Sequence, residues 1–209
     1  MQSHAQAVVI GGGVVGCSVL YHLTKAGWTD VVLLERSELT SGSTWHAAGG
    51  MHTINGDPNV AKLQQYTIEL YDEIEELSEQ SIGLHLTGGV FLAATNERFD
   101  WLKSMHAKGL YLGMDTEIIS PKEAADIFPL LDPDKFVGAM SDPLEGHLDP
   151  SGTTWAYAKA AQKNGAVIHQ QTRVMDLQQN QDGSWCVITE QGEIHTEHVV
   201  NAGGLWARE

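Results

Sequence analysis

The sequence predicts an α/β fold: a parallel sheet flanked by helices, extended by an antiparallel β-meander and interrupted by an α+β insertion. Three observations carry this expectation. The apolar run Ala7-Val8-Val9-Ile10 leads through Gly11-Gly12-Gly13-Val14-Val15-Gly16 into the helix-like stretch Cys17 to Leu23, which is the order buried strand, glycine turn, helix. A second apolar strand, Val31-Val32-Leu33-Leu34, follows and stops on Glu35. After residue 147 a helix, a strand and a meander return, so the same architecture resumes downstream of an interruption.

The first strand, turn and helix open a Rossmann-type unit. In the G-x-G-x-x-G spacing Gly11 makes the tight turn, Gly13 lets phosphates approach the backbone and Gly16 lets helix and strand touch. Bare N–H groups and a positive helix end, with Val14 and Val15 in the first turn, then face a pyrophosphate. Glu35 stands at about the twenty-residue distance at which an acid receives a ribose 2′-OH. A carboxylate there selects an adenosine ribose without a 2′-phosphate, so NADP is disfavoured.

The remaining elements follow in order. The first helix is expected over residues 14–26 and closes on Gly27. Residues 36–44 are polar and small, and they lead into Trp45-His46-Ala47-Ala48-Gly49-Gly50, a run that lets a flat ligand lie close to the backbone. From Val60 an amphipathic helix sets Val60, Leu63, Thr67, Leu70, Ile74 and Leu77 on one face. Its acidic residues between Glu69 and Glu79 form a solvated face rather than a metal site. After Gly83, residues 84–86 and 89–94 read as strands, Asn96 starts a helix to about Leu112, and residues 115–119 form another strand. Ser120 and Glu123 cap a short helix at Pro121, and residues 136–140 are again a strand. Asp149-Pro150 open a helix that stops at Gly165, and residues 166–168 form a parallel strand. Turns at Asp182-Gly183 and Gln191-Gly192 divide residues 172–177, 185–189 and 193–195 into a three-stranded antiparallel meander. A separate strand over 198–201 runs into Ala202-Gly203-Gly204-Leu205-Trp206. The expected organisation is residues 1–82 as the first part of the nucleotide-binding domain, 83–147 as an inserted substrate-domain part, and 148–209 as the second part.

Composition narrows the partners. The 209-residue chain has a formal charge of −15, from 27 acidic against 12 basic residues, and that negative field repels nucleic acid and anionic membranes. Neither is an expected partner. No apolar run approaches the ~20 residues of a membrane span, and the stretch before Ala7 is too short for a targeting peptide, so a cytoplasmic protein is expected. Cys17 and Cys186, the two cysteines of the chain, read as small core residues in a reducing compartment. His85, His169, His195 and His198 show no metal-ligand spacing with cysteine or carboxylate, so no metal is expected.

Four segments together make the chain resemble the FAD-dependent amine oxidoreductases of the D-amino-acid-oxidase type, most closely the dimethylglycine and sarcosine dehydrogenases. They are the glycine turn with Glu35 and Leu39-Thr40-Ser41-Gly42-Ser43-Thr44, the stretch Ser43-Thr44-Trp45-His46-Ala47-Ala48-Gly49, the stretch Gly146-His147-Leu148-Asp149-Pro150, and Val199-Val200-Asn201-Ala202-Gly203-Gly204-Leu205-Trp206-Ala207. The resemblance implies FAD as cofactor. The second segment is similar to the one whose histidine bonds covalently to the flavin in those dehydrogenases. It places a covalent link at His46 and further cofactor contacts at Ser43, Thr44, Ala48 and Gly49, and the resemblance adds Arg36 beside Glu35. The last segment is similar to the family's second phosphate-side turn, with Ala202, Gly203 and Trp206 as contacts. Val174 lies in the meander where similar flavoproteins hold the adenine through backbone groups. The implied activity is oxidation of an N-methylated amino acid, dimethylglycine or sarcosine, with electron-transfer flavoprotein or oxygen as electron acceptor. The catalytic residues, the residue for the substrate carboxylate, the closing strand of the FAD fold and any tetrahydrofolate site are expected beyond Glu209.

Other residues and functions weigh less. His52 follows the glycine pair and could face the flavin, but a lone loop histidine is more often solvated. His147 reads as structural. Ser41, Ser43 and Thr44 lack a G-x-S-x-G elbow, so a hydrolase is a poor fit. A non-catalytic FAD-binding regulatory subunit related to these dehydrogenases is a competing function, against which an intact His46 argues. A D-amino-acid or glycerol-phosphate oxidoreductase with non-covalent FAD is a third, and it needs no such histidine.

Overall fold

A computed structural model describes residues 1–208. Its elements run β1 (His4–Ile10), α1 (Val14–Lys25), β2 (Val31–Leu34), β3 (Gly50–Met51), α2 (Pro58–Ser78), β4 (Gly89–Ala93), α3 (Asn96–Tyr111), β5 (Glu117–Ile119), α4 (Pro121–Ile127), β6 (Gly138–Asp142), β7 (Gly146–His147), α5 (Pro150–Lys163), β8 (Val167–His169), β9 (Val174–Gln179), β10 (Trp185–Thr189) and β11 (Gly192–Asn201). No described helix is long and apolar enough to cross a membrane. The chain divides into two compact units, one built from Met1–Ala48, Tyr71–Gly83 and the chain from Asp149 onward, the other from Gly49–Leu70 and Leu84–Leu148.

The first unit carries a six-stranded sheet in the order β8-β2-β1-β11-β10-β9. The four strands from β8 to β11 run parallel, and β11, β10 and β9 are antiparallel. All four residues of β2 are buried, as a parallel strand covered on both faces requires. Val8, Val32, Leu34, Val187 and Ile194 form one core cluster of this sheet. Helix α1 buries Gly16, Cys17, Leu20, Tyr21 and Thr24, and it packs against α5. That helix offers Ala156, Ala158, Ala160 and Ala161, whose small side chains let the two backbones approach.

Residues 193–195 and 198–201 are not separate strands but one ten-residue strand, β11. Residues 192–196 pair antiparallel with β10 and residues 195–201 parallel with β1, so the two pairings overlap at His195 and Thr196. Thr196 and Glu197, which join the two expected strands, supply no turn residue, so nothing in the chain breaks the strand.

The second unit holds a three-stranded antiparallel sheet in the order β4-β6-β5, with clusters around Ala93, Leu102 and Met140 and around Ile119, Ala124 and Ala139. The capping box on α4 is formed: Ser120 accepts from Glu123 N–H while Glu123 accepts from Ser120 N–H. Residues 49–70, expected with the first part, belong here. The cause is β3, whose Gly50 and Met51 pair with His147 and Gly146, and Ile54, which packs on the Ala93 cluster. Residues 84–86 make only a single bridge, His85 to His147. Positive φ at Gly83 (59°) and Gly88 (72°) turns the chain on either side of them. Helix α2 starts at Pro58 rather than Val60, because Asp57 Oδ1 accepts from Asn59 and Val60 N–H at 2.8 and 3.2 Å and Pro58 suits the first turn.

Candidate functional site

Parallel pairing in the first unit brings the ends of β1, β2 and β11 together. Gly11 N–H donates to Leu34 O at 2.9 Å and Ala202 N–H donates to Ile10 O at 2.8 Å, so the turns after β1 and β11 lie side by side. Gly11 sits at φ +109°, and a Cβ there would lie 2.4 Å from Ala202 O. A Cβ on Gly16 would lie 1.9 Å from Gly11 O. Neither position accepts a side chain.

Three groups brace the first turn from outside. Glu35 is 9% exposed; its Oε2 accepts from Gly12 N–H at 2.6 Å and its Oε1 from Ser37 N–H at 2.8 Å. Thr44 Oγ1 accepts from Val14 N–H at 3.0 Å, and Thr40 N–H donates to Gly12 O at 3.0 Å. In the first turn of α1, Cys17 is fully buried; burial pushes its thiol up to about 12, and the nearby Glu35 carboxylate adds to the shift. That thiol is an inert packing group.

Over the turns opens a cavity of about 720 Å³, within the ~300–1,000 Å³ of small-molecule sites. Gly11, Gly13, Val14, Val15, Glu35, Arg36, Ser43, Thr44, Val174, Ala202, Gly203 and Trp206 line it. Gly16 does not, since it serves the contact between helix and strand. His46 and Ala48 do not line it either, and Gly49 belongs to the second unit, where it accepts from Leu148 N–H at 3.0 Å. His46 ends a short 3₁₀ turn, Thr44–His46. Its exposed ring lies against Trp45, tilted by 37° with centroids 4.0 Å apart, and its Nδ1 lies 3.1 Å from Gly42 O.

Sequence reasoning missed Thr172, Arg173, Asp176 and Arg208 in the cavity wall. Their signal was position alone, beside Val174 and Trp206. The Arg36 guanidinium lies 4.0 Å from the centre of the Trp206 ring, a cation–π contact that ties the end of β2 to the second glycine turn. Arg36, Arg173 and Arg208 give this wall positive charge in a chain of net −15. Two glycine turns, a helix N-terminus, three guanidinium groups and one buried carboxylate suit an adenosine diphosphate moiety. The residues present fit FAD.

In the second unit His52 is solvated, as expected, and is also paired: its side chain is exposed, and its Nδ1 lies 2.8 Å from Glu145 Oε2. Glu145 is 5% exposed, and its Oε1 has no hydrogen-bond partner among the described residues. Burial pushes this carboxyl up, partly offset by His52. Thr53 donates to Asp142 beside it. His147 is exposed and its ring lies 5.0 Å from that of His85.

The model of the family described as FAD dependent oxidoreductase matches residues 6–209. Dimethylglycine dehydrogenase, mitochondrial, of Rattus norvegicus is 42% identical over 208 residues, which are 100% of this chain and 24% of that protein. The mitochondrial pyruvate dehydrogenase phosphatase regulatory subunit of Mus musculus is 36% identical over 209 residues, again 100% of this chain and 24% of the other. The crystal structure of L-proline dehydrogenase from P. horikoshii has a TM-score of 0.91 and 31% identity, over 99% of this chain and 55% of that one. The chain thus spans about a quarter of the length of these curated relatives. With a family match along nearly its whole length and a dinucleotide cavity at the end of its parallel strands, this chain belongs to the FAD dependent oxidoreductases.

Proposed function

We propose that the chain holds FAD in the cavity of its first unit, as part of a flavoprotein that oxidatively demethylates an N-methylated amino acid, dimethylglycine or sarcosine. The substrate class rests on one observation, the 42% identity to a dimethylglycine dehydrogenase along the whole chain. Glu35 receives an adenosine ribose hydroxyl while it continues to hold Gly12 N–H. The helix N-terminus at Gly13, Val14 and Val15 and the guanidinium groups of the wall take the diphosphate. When bound, the flavin would supply a hydride acceptor for an N-methyl C–H, and water would convert the resulting iminium to formaldehyde and the demethylated amine. Electron-transfer flavoprotein or oxygen is the proposed electron acceptor. Tetrahydrofolate, as acceptor of the one-carbon unit, and the catalytic residues are assigned outside the described residues. The two free, buried cysteines fit a reducing compartment, the cytoplasm or the mitochondrion.

His46 is proposed as the covalent anchor of the flavin. A carbonyl can only accept, so Nδ1 keeps its proton and donates it in a hydrogen bond to Gly42 O, which leaves the lone pair on Nε2, the nucleophile the link requires. Thr44 and Ala47, on either side of the Trp45-His46 pair, line the cavity, as does Ser43. The test is to acid-precipitate the intact protein that carries this chain and digest the pellet. A yellow peptide containing His46, heavier by one FAD, is expected; flavin left entirely in the supernatant overturns the link. The similarity to the phosphatase regulatory subunit favours a second reading, a non-catalytic FAD-binding subunit. Bleaching of the flavin absorption by dimethylglycine or sarcosine separates the two, since a regulator shows none.

A further inference from the structure

Among the described residues one group of three metal-ligating side chains stands together: Cys186 on β10 with Glu193 and His195 on β11. None of them lines the cavity. The β10–β11 register sets His195 opposite Cys186 and Glu193 opposite Ile188. Side chains alternate along a strand, so all three project from one face of the sheet. The other face carries Val187 and Ile194, both fully buried in the core. Cys186 Sγ lies 3.7 Å from Glu193 Oε2, and one donor atom from each of the three residues lies within 4.8 Å of the other two. In a tetrahedral zinc site, with Zn–S about 2.3 Å and Zn–N or Zn–O about 2.0–2.2 Å, neighbouring donors stand ~3.3–3.7 Å apart. The thiol and carboxylate already have that spacing. The exposed His195 ring reaches it by rotation about its side-chain bonds.

We propose that Cys186, Glu193 and His195 bind a divalent cation of borderline softness, zinc above all, with water as the fourth ligand. A sulfur and an imidazole nitrogen select zinc over magnesium or calcium, which prefer all-oxygen sets. The thiol proton leaves to solvent as the Zn–S bond forms. The chain's charge of −15 raises the local concentration of cations. Two paired strands hold Cys186 and His195 at a fixed spacing before the metal arrives, and the ordering cost of the site is correspondingly small. The expectation of no metal rested on spacing along the chain, and spacing along the chain does not show partners that meet across a strand pair. The site is independent of the flavin.

Cobalt(II) is the probe, titrated into the intact protein without a polyhistidine tag. One equivalent is expected to produce a near-ultraviolet sulfur-to-cobalt charge-transfer band and the visible bands of four-coordinate cobalt, and zinc is expected to displace both. Cys186→Ser should abolish the charge-transfer band. Glu193→Gln and His195→Ala keep the thiol and should weaken binding by at least the roughly ten- to hundredfold that loss of a supporting hydrogen bond costs a metal site. Zinc should also slow alkylation of Cys186 in the unsubstituted protein, a readout that needs no variant to fold. Absence of the band, a band that survives Cys186→Ser, or alkylation of Cys186 indifferent to zinc overturns the proposal.

Discussion

Removing the Glu35 side chain takes an acceptor from two backbone N–H groups at once, those of Gly12 and Ser37. A bond to a charged acceptor contributes ~1.5–3 kcal/mol. Glu35→Ala in a His46→Ala background, where flavin can dissociate, should therefore weaken FAD binding by about one to two decades and lower the melting temperature even without FAD. Flavin-fluorescence quenching and a thermal melt measure the two effects; unchanged FAD affinity would leave Glu35 with only its bracing role. Glu35 was legible because a charged residue that ends an apolar strand needs a partner. Its grip on Gly12 was not, since that bond joins residues far apart in the chain. The His52–Glu145 pair was invisible for the same reason, and it brings a pH dependence. Burial raises the Glu145 carboxyl above its ordinary 4.5, so the folded chain binds this proton more tightly than the unfolded one. Its contribution to stability is full below pH 4.5 and is lost as pH rises through the raised folded value. Glu145→Gln cannot ionise, and the fall in melting temperature between pH 5 and pH 8 should shrink in that variant. An unchanged fall would show that Glu145 ionises at no cost to the fold.

The strand–turn–helix element at the start of the chain depends on a backbone approach that admits no side chain. Gly16→Ala would put Cβ 1.9 Å from Gly11 O, and backbone on both sides cannot yield as a flexible side chain could. Overpacking of this kind typically costs 1–3 kcal/mol and occasionally more, and Gly16→Ala should fall at or above the top of that range with loss of FAD binding. Gly27→Ala is the matched control: Gly27 has φ +91° but nothing within 4 Å, so it should lose only the ~1–2 kcal/mol of left-handed strain. Thermal melts of the two rank them, and equal losses would refute the steric account. The element was legible because each glycine has its own geometric reason at a fixed spacing. Strand β11 was less so. Its continuity across Thr196 and Glu197 comes from two different partners, β10 and β1, and neither is visible in the residues of β11 themselves. Helix α2 was misread by two residues at its start, because the cap Asp57 precedes the apolar periodicity that announces a helix.

At the scale of the whole molecule, the chain leaves its first unit after Ala48 and again after Gly83, and returns through Tyr71 and Asp149. The change in texture after Gly83 made one of these crossings legible. The crossing at residues 48–49 was not, because a two-residue strand, β3, is too short to show a periodicity. All cavity-lining residues belong to the first unit, and that confinement makes a prediction. Ligand that binds only the folded state stabilises by RT ln(1 + [L]/Kd), about 2.7 kcal/mol at a hundredfold excess over Kd. In the His46→Ala protein, FAD at that excess should slow amide hydrogen exchange in the segments that build the cavity: residues 10–16, 34–44, 172–177 and 201–208. Exchange in β4, β5 and β6 of the second unit should not change. The same pattern should hold with adenosine diphosphate alone, more weakly, because the cavity groups that address that half of the cofactor are the glycine turns, Glu35 and the arginines. Protection spread equally over both units, or absent around Gly11–Gly16 while present elsewhere, would place the cofactor outside this cavity and remove the structural support for the flavoprotein assignment of this chain.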